Sequence, residues 1–241
     1  MTRLLRDSMN SRHLIAIVGL ISFLAGAIDG AAQRPVNFEI GFRSGVPFTD
    51  ALTSRLTGSA AFFTSASFVK PGFTVGPTLG VIVHDQFAVE FDAIYKPIRF
   101  FGSSTIGPAL QASSTTRARS WEFPLLINYR FLRLPIRPVG GGGIILGSTL
   151  KGTTETRVLD LRTGVETFST APFRGSVMGQ GLALVINGGL EWRSSRVLIR
   201  PELRYTRRPD ASYNTVFLRA PNQLEYLVGF SFLGRWAGNS R

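Results

Sequence analysis

The 241-residue sequence has no cysteine. That excludes a disulfide scaffold, a thiolate metal site, an iron–sulfur cluster and a cysteine nucleophile. Only two histidines are present, His13 and His84, too few for a multi-histidine metal centre or a histidine proton relay. Charged residues make up 17% of the chain, against about 25% in a typical soluble domain. Beyond residue 30 no stretch approaches the roughly 18 apolar residues of a membrane-spanning helix. Yet 44% of the chain is hydrophobic, with 26 Gly and 19 Phe. A chain that is apolar on average and nowhere continuously apolar points to alternating β structure and away from enzymes.

The N-terminus reads as an address. Arg3, Arg6, Arg12 and His13 precede the apolar run LIAIVGLISFLAGAI (14–28), which ends at Asp29 before the small residues Gly30, Ala31 and Ala32. Basic, apolar, small is the order of a secretory signal peptide, predicted over 1–32 with cleavage after Ala32. Export also makes nucleic acid an unsuitable partner for a chain of net charge +12.

From Val36 onward the hydrophobic period is two. The pattern predicts one all-β domain over 33–241, with eight strands at roughly 36–46, 73–83, 87–98, 119–131, 136–150, 176–193, 197–207 and 222–232. Connections alternate strictly. Short ones lie at 84–86, 132–135 and 194–195; long ones, rich in Ser, Thr, Gly and Ala, lie at about 47–70, 100–117, 150–175 and 208–220. An even strand number with short turns on one rim and long loops on the other is the layout of a transmembrane β-barrel. Arg162-Thr163-Gly164 suggests a hairpin that carries strands five and six beyond the membrane.

One face of these strands carries the charge: Glu39, Arg43, Glu90, Asp92, Lys96, Glu122, Arg130, Glu191, Arg193, Arg200, Glu202, Arg204 and Glu225, seven acids and six bases. An eight-stranded barrel is only wide enough for its side chains to fill it, so these groups are expected to pair inside. The aromatics fall in two belts, Tyr95, Trp121, Tyr205 and Tyr226 near the long-loop rim and Tyr129, Trp192 and Phe232 near the short-turn rim. Tyr and Trp favour membrane interfaces, where an apolar ring and a polar edge are both satisfied. Pro77, Pro97, Pro124, Pro138 and Pro201 lie within strands, and each demands a bulge or a strand end.

The address, the alternation and the segments SWEFPLLINYRF (120–131) and NQLEYLVGFSF (222–232) resemble the outer-membrane β-barrel domain family, the small eight-stranded barrels of Gram-negative bacteria of the OmpA/OmpX type. The resemblance spans about 36–232. It implies an antiparallel up-and-down barrel in the cell outer membrane, inserted by the barrel-assembly machinery. Phe232 resembles the terminal aromatic residue that serves such proteins as an assembly signal, though nine residues, LGRWAGNSR, follow it here.

Catalytic motifs are thin. Ser67-Phe68-Val69-Lys70 matches S-x-x-K, but its companion motifs are missing. Gly140 to Gly143 lacks the Gly-Lys-Ser/Thr of a phosphate loop, and glycines on a barrel strand instead make room for bulky lumen groups or allow sharp curvature. His84 falls on the short-turn rim. Glu90 and Asp92 share a face and are read as partners of basic residues rather than an acid–base pair. The expectation is therefore a non-enzymatic, monomeric barrel without cofactor or metal, structural or interactive in role. A narrow channel and an exported soluble lipid-binding barrel are the alternatives. The long-loop rim is strongly basic, and Arg117, Arg119, Arg207 and Arg208 are the candidate contacts to lipopolysaccharide phosphates, since guanidinium pairs well with phosphate.

Overall fold

The computed structural model describes residues 37–49, 52–53, 55–59, 62–69, 72–83, 86–107, 109–131, 134–177, 183–208, 212–214, 217–219 and 221–235. The expected signal peptide, His84 and Lys70 lie outside these residues. Every regular element described is a β-strand: β1 (Asn37–Pro47), β2 (Leu52–Thr53), β3 (Arg55–Ser59), β4 (Phe62–Val69), β5 (Thr74–Val83), β6 (Phe87–Asp92), β7 (Ile94–Ile106), β8 (Leu110–Arg130), β9 (Ile136–Asp160), β10 (Glu166–Val177), β11 (Ala183–Arg193), β12 (Val197–Arg207), β13 (Ser212–Asn214), β14 (Phe217–Arg219) and β15 (Asn222–Arg235).

Antiparallel pairing runs β1–β5–β6–β8–β9–β11–β12–β15 and returns to β1, closing a barrel. β7 continues β6 after a break at Ala93, and β10 pairs with the outer half of β9 as β11 pairs with its inner half. Eight strand positions therefore make the wall. Following register partners from Asn37 through Ile82, Ala88, Asn128, Gly141, Asn187, Arg204 and Glu225 returns to β1 at Pro47, ten residues further along the strand. A stagger of ten over eight strands sets a tilt of about 40° and a backbone radius of about 8 Å, which leaves an interior the width of packed side chains.

The short connections, the start of β1 and the end of β15 share one rim. Asn37 is opposite Arg235, and Ser194 N–H donates to the Val197 carbonyl (2.8 Å) to close the tightest turn. At the other rim the wall does not stop at the membrane. β7, β8, β9 and β10 run on, and β3 and β4 add to them, giving an extramembrane sheet in the order β3–β4–β7–β8–β9–β10. A second small sheet, β13–β14–β2, lies among the remaining long connections. The expectation of long loops over 47–70 and 100–117 is corrected here. The first segment holds β2, β3 and β4; in the second, 102–105 and 111–116 are mostly Ser and Thr and carry no apolar period, but Thr fits the pleated surface well and β7 and β8 extend through them. The β9–β10 hairpin turns at Arg162-Thr163-Gly164, where Gly164 takes the left-handed conformation (φ 68°) that the turn requires.

The in-strand prolines coincide with interruptions. Pro77 faces the break at Ala93, whose N–H donates to the Pro77 carbonyl (3.0 Å). Pro124 sits at the register shift between β8 and β9. Pro97 falls between the end of the β5–β7 pairing, at Val75–Tyr95, and the start of the β4–β7 pairing, at Val69–Arg99. Pro138 lies close to the start of β9, and Pro201 lies where the β11–β12 pairing lapses between Gly189 and Trp192. Strand ends and interruptions are where a residue without an N–H disturbs the ladder least.

Candidate functional site: the charged lumen and the membrane-facing surface

Alternation along each strand sends one set of side chains inward. Glu90, Glu122, Arg200 and Glu225 are buried, at 0%, 4%, 1% and 3% exposure. Phe91, Leu125, Ile199 and Phe230, on the other face of the same strands, point outward. The outer wall carries Ile40, Phe42, Leu79, Ile127, Leu184, Ile186, Leu203 and Val228, all substantially exposed. A water-soluble protein rarely exposes an apolar surface that runs around its whole circumference while burying its charges. Hydrocarbon is the solvent that such a wall fits.

Among the described residues, fourteen charged side chains are buried: Glu39, Arg43, Glu90, Asp92, Lys96, Glu122, Arg130, Arg137, Glu191, Arg200, Glu202, Arg204, Arg208 and Glu225. They are seven acids and seven bases, and each has an opposite partner. Nearest the short-turn rim, Glu191 accepts from Arg130 (2.8 Å), Arg137 (2.9 Å) and Arg200 (2.8 Å), while Glu39 lies 3.6 Å from both Arg130 and Arg200 and accepts from Ser231 Oγ (2.8 Å). At mid-height, Glu90 pairs with Arg43 and Arg200. Arg43 also meets Asp92 (3.2 Å) and Glu202 (2.5 Å), and Arg204 joins the same two acids at 2.7 and 2.9 Å. Thr78 Oγ1 donates to Asp92 (2.6 Å), and Asn187 Nδ2 donates to Asn128 (2.9 Å). Toward the long-loop rim, Lys96 lies 2.7 Å from both Glu122 and Glu225, and Arg208 lies 2.5 Å from Glu122. Closely spaced opposite charges in a low-dielectric interior offset part of one another's desolvation, and here the acids and bases match in number.

Three placements differ from expectation. Arg208, taken from the sequence as a lipopolysaccharide contact, is buried at 3% and pairs with Glu122 inside the barrel. The inward alternation of Arg204 and Thr206 runs one step past β12, and Arg208 follows it while Arg207 faces out. Arg137, not singled out in the sequence, is in the lumen; Ile136 and Pro138 beside it are exposed, so the period of two was its signal. Arg193 is only half-buried and lines a depression at the short-turn rim with Asn37, Ser195, Arg196 and Leu233.

The carboxylates Glu90 and Asp92 are each held by guanidinium groups. Among the described residues no group of three His, Asp or Glu side chains is arranged to hold a metal ion. The glycine run lies mid-strand in β9 rather than in a loop. A Cβ on Gly141 would stand 2.1 Å from Asn128 Oδ1, and one on Gly143 would stand 1.9 Å from the Leu125 carbonyl oxygen. These glycines let β8 and β9 close on each other beside the lumen groups.

The aromatic belts form pairs on the outer wall. Tyr95 and Trp121 are cross-strand neighbours with centroids 5.3 Å apart, edge to face, and Tyr226 is opposite Val46 and Leu203. Tyr205 donates its hydroxyl to Asn222 Oδ1 (2.7 Å). At the other rim Tyr129 packs against Phe87 (5.0 Å) and Phe131 (5.1 Å), while Trp192 and Phe232 are exposed beside Ile136 and Val197. From Phe131 to Trp121 is ten residues, about 25 Å of height at this tilt, the height of a bilayer's apolar band.

Beyond the outer belt, Arg99, Arg117, Arg119 and Lys151 are exposed on the continuation of the lipid-facing side, and Arg207 is exposed on β12. Higher still, Arg157 pairs with Glu166 and its guanidinium lies 5.8 Å over the Phe168 ring. The hydrogen bond to Glu166 raises the Arg157 pKa. Asp160 is pushed below the usual carboxylate range, first by the backbone hydrogen bond from Arg162 N–H.

Closure, strand number, apolar exterior and paired interior together define an eight-stranded, antiparallel, up-and-down transmembrane barrel of the outer-membrane type. No family model matches the chain, and no curated protein matches it. Solved structures with a similar trace include Neisserial surface protein A, at 14% identity over 81% of this chain and 96% of that one, with a TM-score of 0.35. The outer membrane protein OprG from Pseudomonas aeruginosa is 15% identical over 83% of this chain and 95% of its own, with a TM-score of 0.45. The N-terminal β-barrel domain of Pseudomonas aeruginosa OprF is 11% identical over 83% and 100%, with a TM-score of 0.38. The class assignment rests on the barrel's own closure and surface.

Proposed function

We propose that the chain is a non-conducting, non-enzymatic barrel of the Gram-negative outer membrane. In this reading the wall anchors the extramembrane sheet of β3, β4 and β7 to β10 at the cell surface, where it meets other molecules. The observation that carries the reading is the equality of seven buried acids and seven buried bases, joined in two groups of ion pairs that follow one another along the lumen. An ion path would have to part these pairs, and unpairing a buried charge is strongly unfavourable. The same interior is crossed by ion pairs between opposite walls, which counts against the soluble lipid-binding alternative. The wall is closed, with no unpaired barrel edge, so the barrel itself needs no partner copy and a monomer is expected. Insertion by the barrel-assembly machinery, with Phe232 near the end of β15 as the terminal aromatic residue, completes the proposal.

Single-channel recording in planar bilayers tests it. The protein folded in its native, heat-modifiable form is expected to give no discrete current steps. Reproducible steps from that form would replace the anchoring role with a narrow channel.

A further inference from the structure

Four exposed cations on the outer wall stand together without counter-charge. By register Arg99 is directly opposite Arg117, and Arg119 is directly opposite Lys151. Arg117 and Arg119 are two residues apart on one face of β8, about 7 Å along the strand. Like charges directly opposite on a sheet destabilise it. By contrast, all seven buried cations among the described residues are paired, and Arg157 is paired with Glu166. None of these four has a carboxylate partner among the described residues, and the acid nearest them on that face, Glu155, lies one row further from the barrel, opposite Thr115 and Thr170.

Their height gives the counter-charge an address. Trp121 and Tyr95 mark the upper edge of the apolar band, and Arg119 follows Trp121 by two residues on the same exposed face. At this tilt Arg119 stands about 5 Å and Arg117 about 10 Å above the aromatic level. That is the layer where lipid phosphates lie, next to hydrocarbon and on its wet side. A guanidinium fork matches phosphate oxygens with two parallel hydrogen bonds, and a flanking lysine adds a point charge.

We propose that Arg99, Arg117, Arg119 and Lys151 form a site for the phosphate groups of a membrane lipid headgroup. The zigzag Lys151–Arg119–Arg117–Arg99 spans three adjacent strands, room for more than one phosphate, so a headgroup bearing two phosphates fits it better than one bearing a single phosphate. The ligand is a lipid rather than a soluble phosphate because the site opens on the wall directly above the lipid-facing aromatics. This site stands independently of whether the barrel conducts.

Brominated-lipid quenching of tryptophan tests the proposal, since bromine on an acyl chain quenches only at contact. Two single-tryptophan forms of the full chain are folded into phosphatidylcholine vesicles: one keeps Trp121 (W192F, W236F), the other keeps Trp192 (W121F, W236F). Dibrominated phosphatidic acid is then compared with dibrominated phosphatidylcholine. Phosphatidic acid is expected to be preferred at least about threefold at Trp121, with no preference at Trp192. The preference falls to parity in R99S/R117S/R119S/K151S, and at least halves in R117S/R119S should the fourfold variant fail to fold. Lipid A, with two phosphates, added without bromine displaces brominated phosphatidic acid from Trp121 more effectively than unbrominated phosphatidic acid does, while millimolar glycerol 3-phosphate leaves the quenching unchanged. Equal quenching by both brominated lipids at Trp121, a preference that survives the substitutions, or an equal preference at Trp192 would overturn the site. Displacement by glycerol 3-phosphate would overturn its assignment to a lipid.

Discussion

Arg204 Nη2 lies 2.7 Å from Asp92 Oδ2, and the two residues come from strands on opposite walls of the barrel. β12 and β6 are four strand positions apart in either direction around the ring. Arg200 and Glu90 span the same two strands nearer the short-turn rim. The pairs cross the full diameter, so the lumen is bridged rather than merely lined. These bridges also tie together strands that share no backbone hydrogen bond.

Removing one acid from this network leaves guanidinium groups stranded in a dry interior. Glu191→Gln deprives Arg130, Arg137 and Arg200 of their shared partner. A loss of about 3–5 kcal/mol is expected, as for other broken buried pairs, read by denaturant unfolding in phospholipid vesicles. Arg157→Ser breaks the exposed pair with Glu166 and is expected to leave the same unfolding curve unmoved. Equal effects from the two substitutions would mean that the lumen is wet.

A charge on the outer wall tests the opposite face. Ile127 is 58% exposed near the middle of the span of β8. Ile127→Arg is expected to lose about 2–4 kcal/mol in bilayers, the range for Arg near the midplane on a lipid-facing strand. Phe168→Arg, which places the same charge on the extramembrane sheet, is expected to be tolerated. Both are read by equilibrium unfolding.

Strand closeness at the glycine run gives a third test. Gly143→Ala puts a Cβ 1.9 Å from the Leu125 carbonyl oxygen, so β8 and β9 must separate locally. Faster amide exchange at residues 125–127 and 142–144, with Gly142→Ala less affected because its Cβ would stand 3.2 Å from the nearest atom, is the expected outcome. Unchanged exchange in Gly143→Ala would contradict the tight approach.

The sequence made some of this plain and hid the rest for physical reasons. Glu39, Glu90, Glu122, Arg200 and Glu225 were legible because each alternates with a large apolar neighbour, and one solvent outside and another environment inside leave a period of two. Arg137 was obscured by the glycines that follow it, which have no side chain to show the period. Arg208 was hidden by its neighbour Arg207: two adjacent basic residues read as one rim patch, although adjacent residues on a strand face opposite ways. The β7–β8 part of the extramembrane sheet left no hydrophobic period because 102–105 and 111–116 are mostly Ser and Thr, whichever face they take. Arg99 opposite Arg117 depends on register across a hairpin, which composition does not encode.

The β9–β10 hairpin carries a pH dependence of its own. Asp160 Oδ1 accepts from the N–H of Arg162 (2.8 Å) and of Thr163 (3.4 Å), bonds that favour the charged carboxylate and depress its pKa. A depressed carboxylate pKa adds stability above the unfolded-state value, and that stability is lost as pH falls through the folded-state value. Amide exchange at Arg162 and Gly164 is therefore expected to accelerate below the ordinary Asp range and to be insensitive to pH-linked protonation above it. Asp160→Asn should remove this acid-side acceleration.

The orientation of side chains in the wall is tested most directly by spin-label accessibility, which the absence of cysteine makes simple. Single cysteines are placed in turn at 121 to 130 on β8, labelled, and folded into bilayers. Oxygen, which partitions into hydrocarbon, is expected to reach labels at 121, 123, 125, 127 and 129 and not those at 122, 124, 126, 128 and 130. Maxima at the even positions, or equal access at both, would contradict a barrel with its apolar side chains in lipid and its ion pairs within.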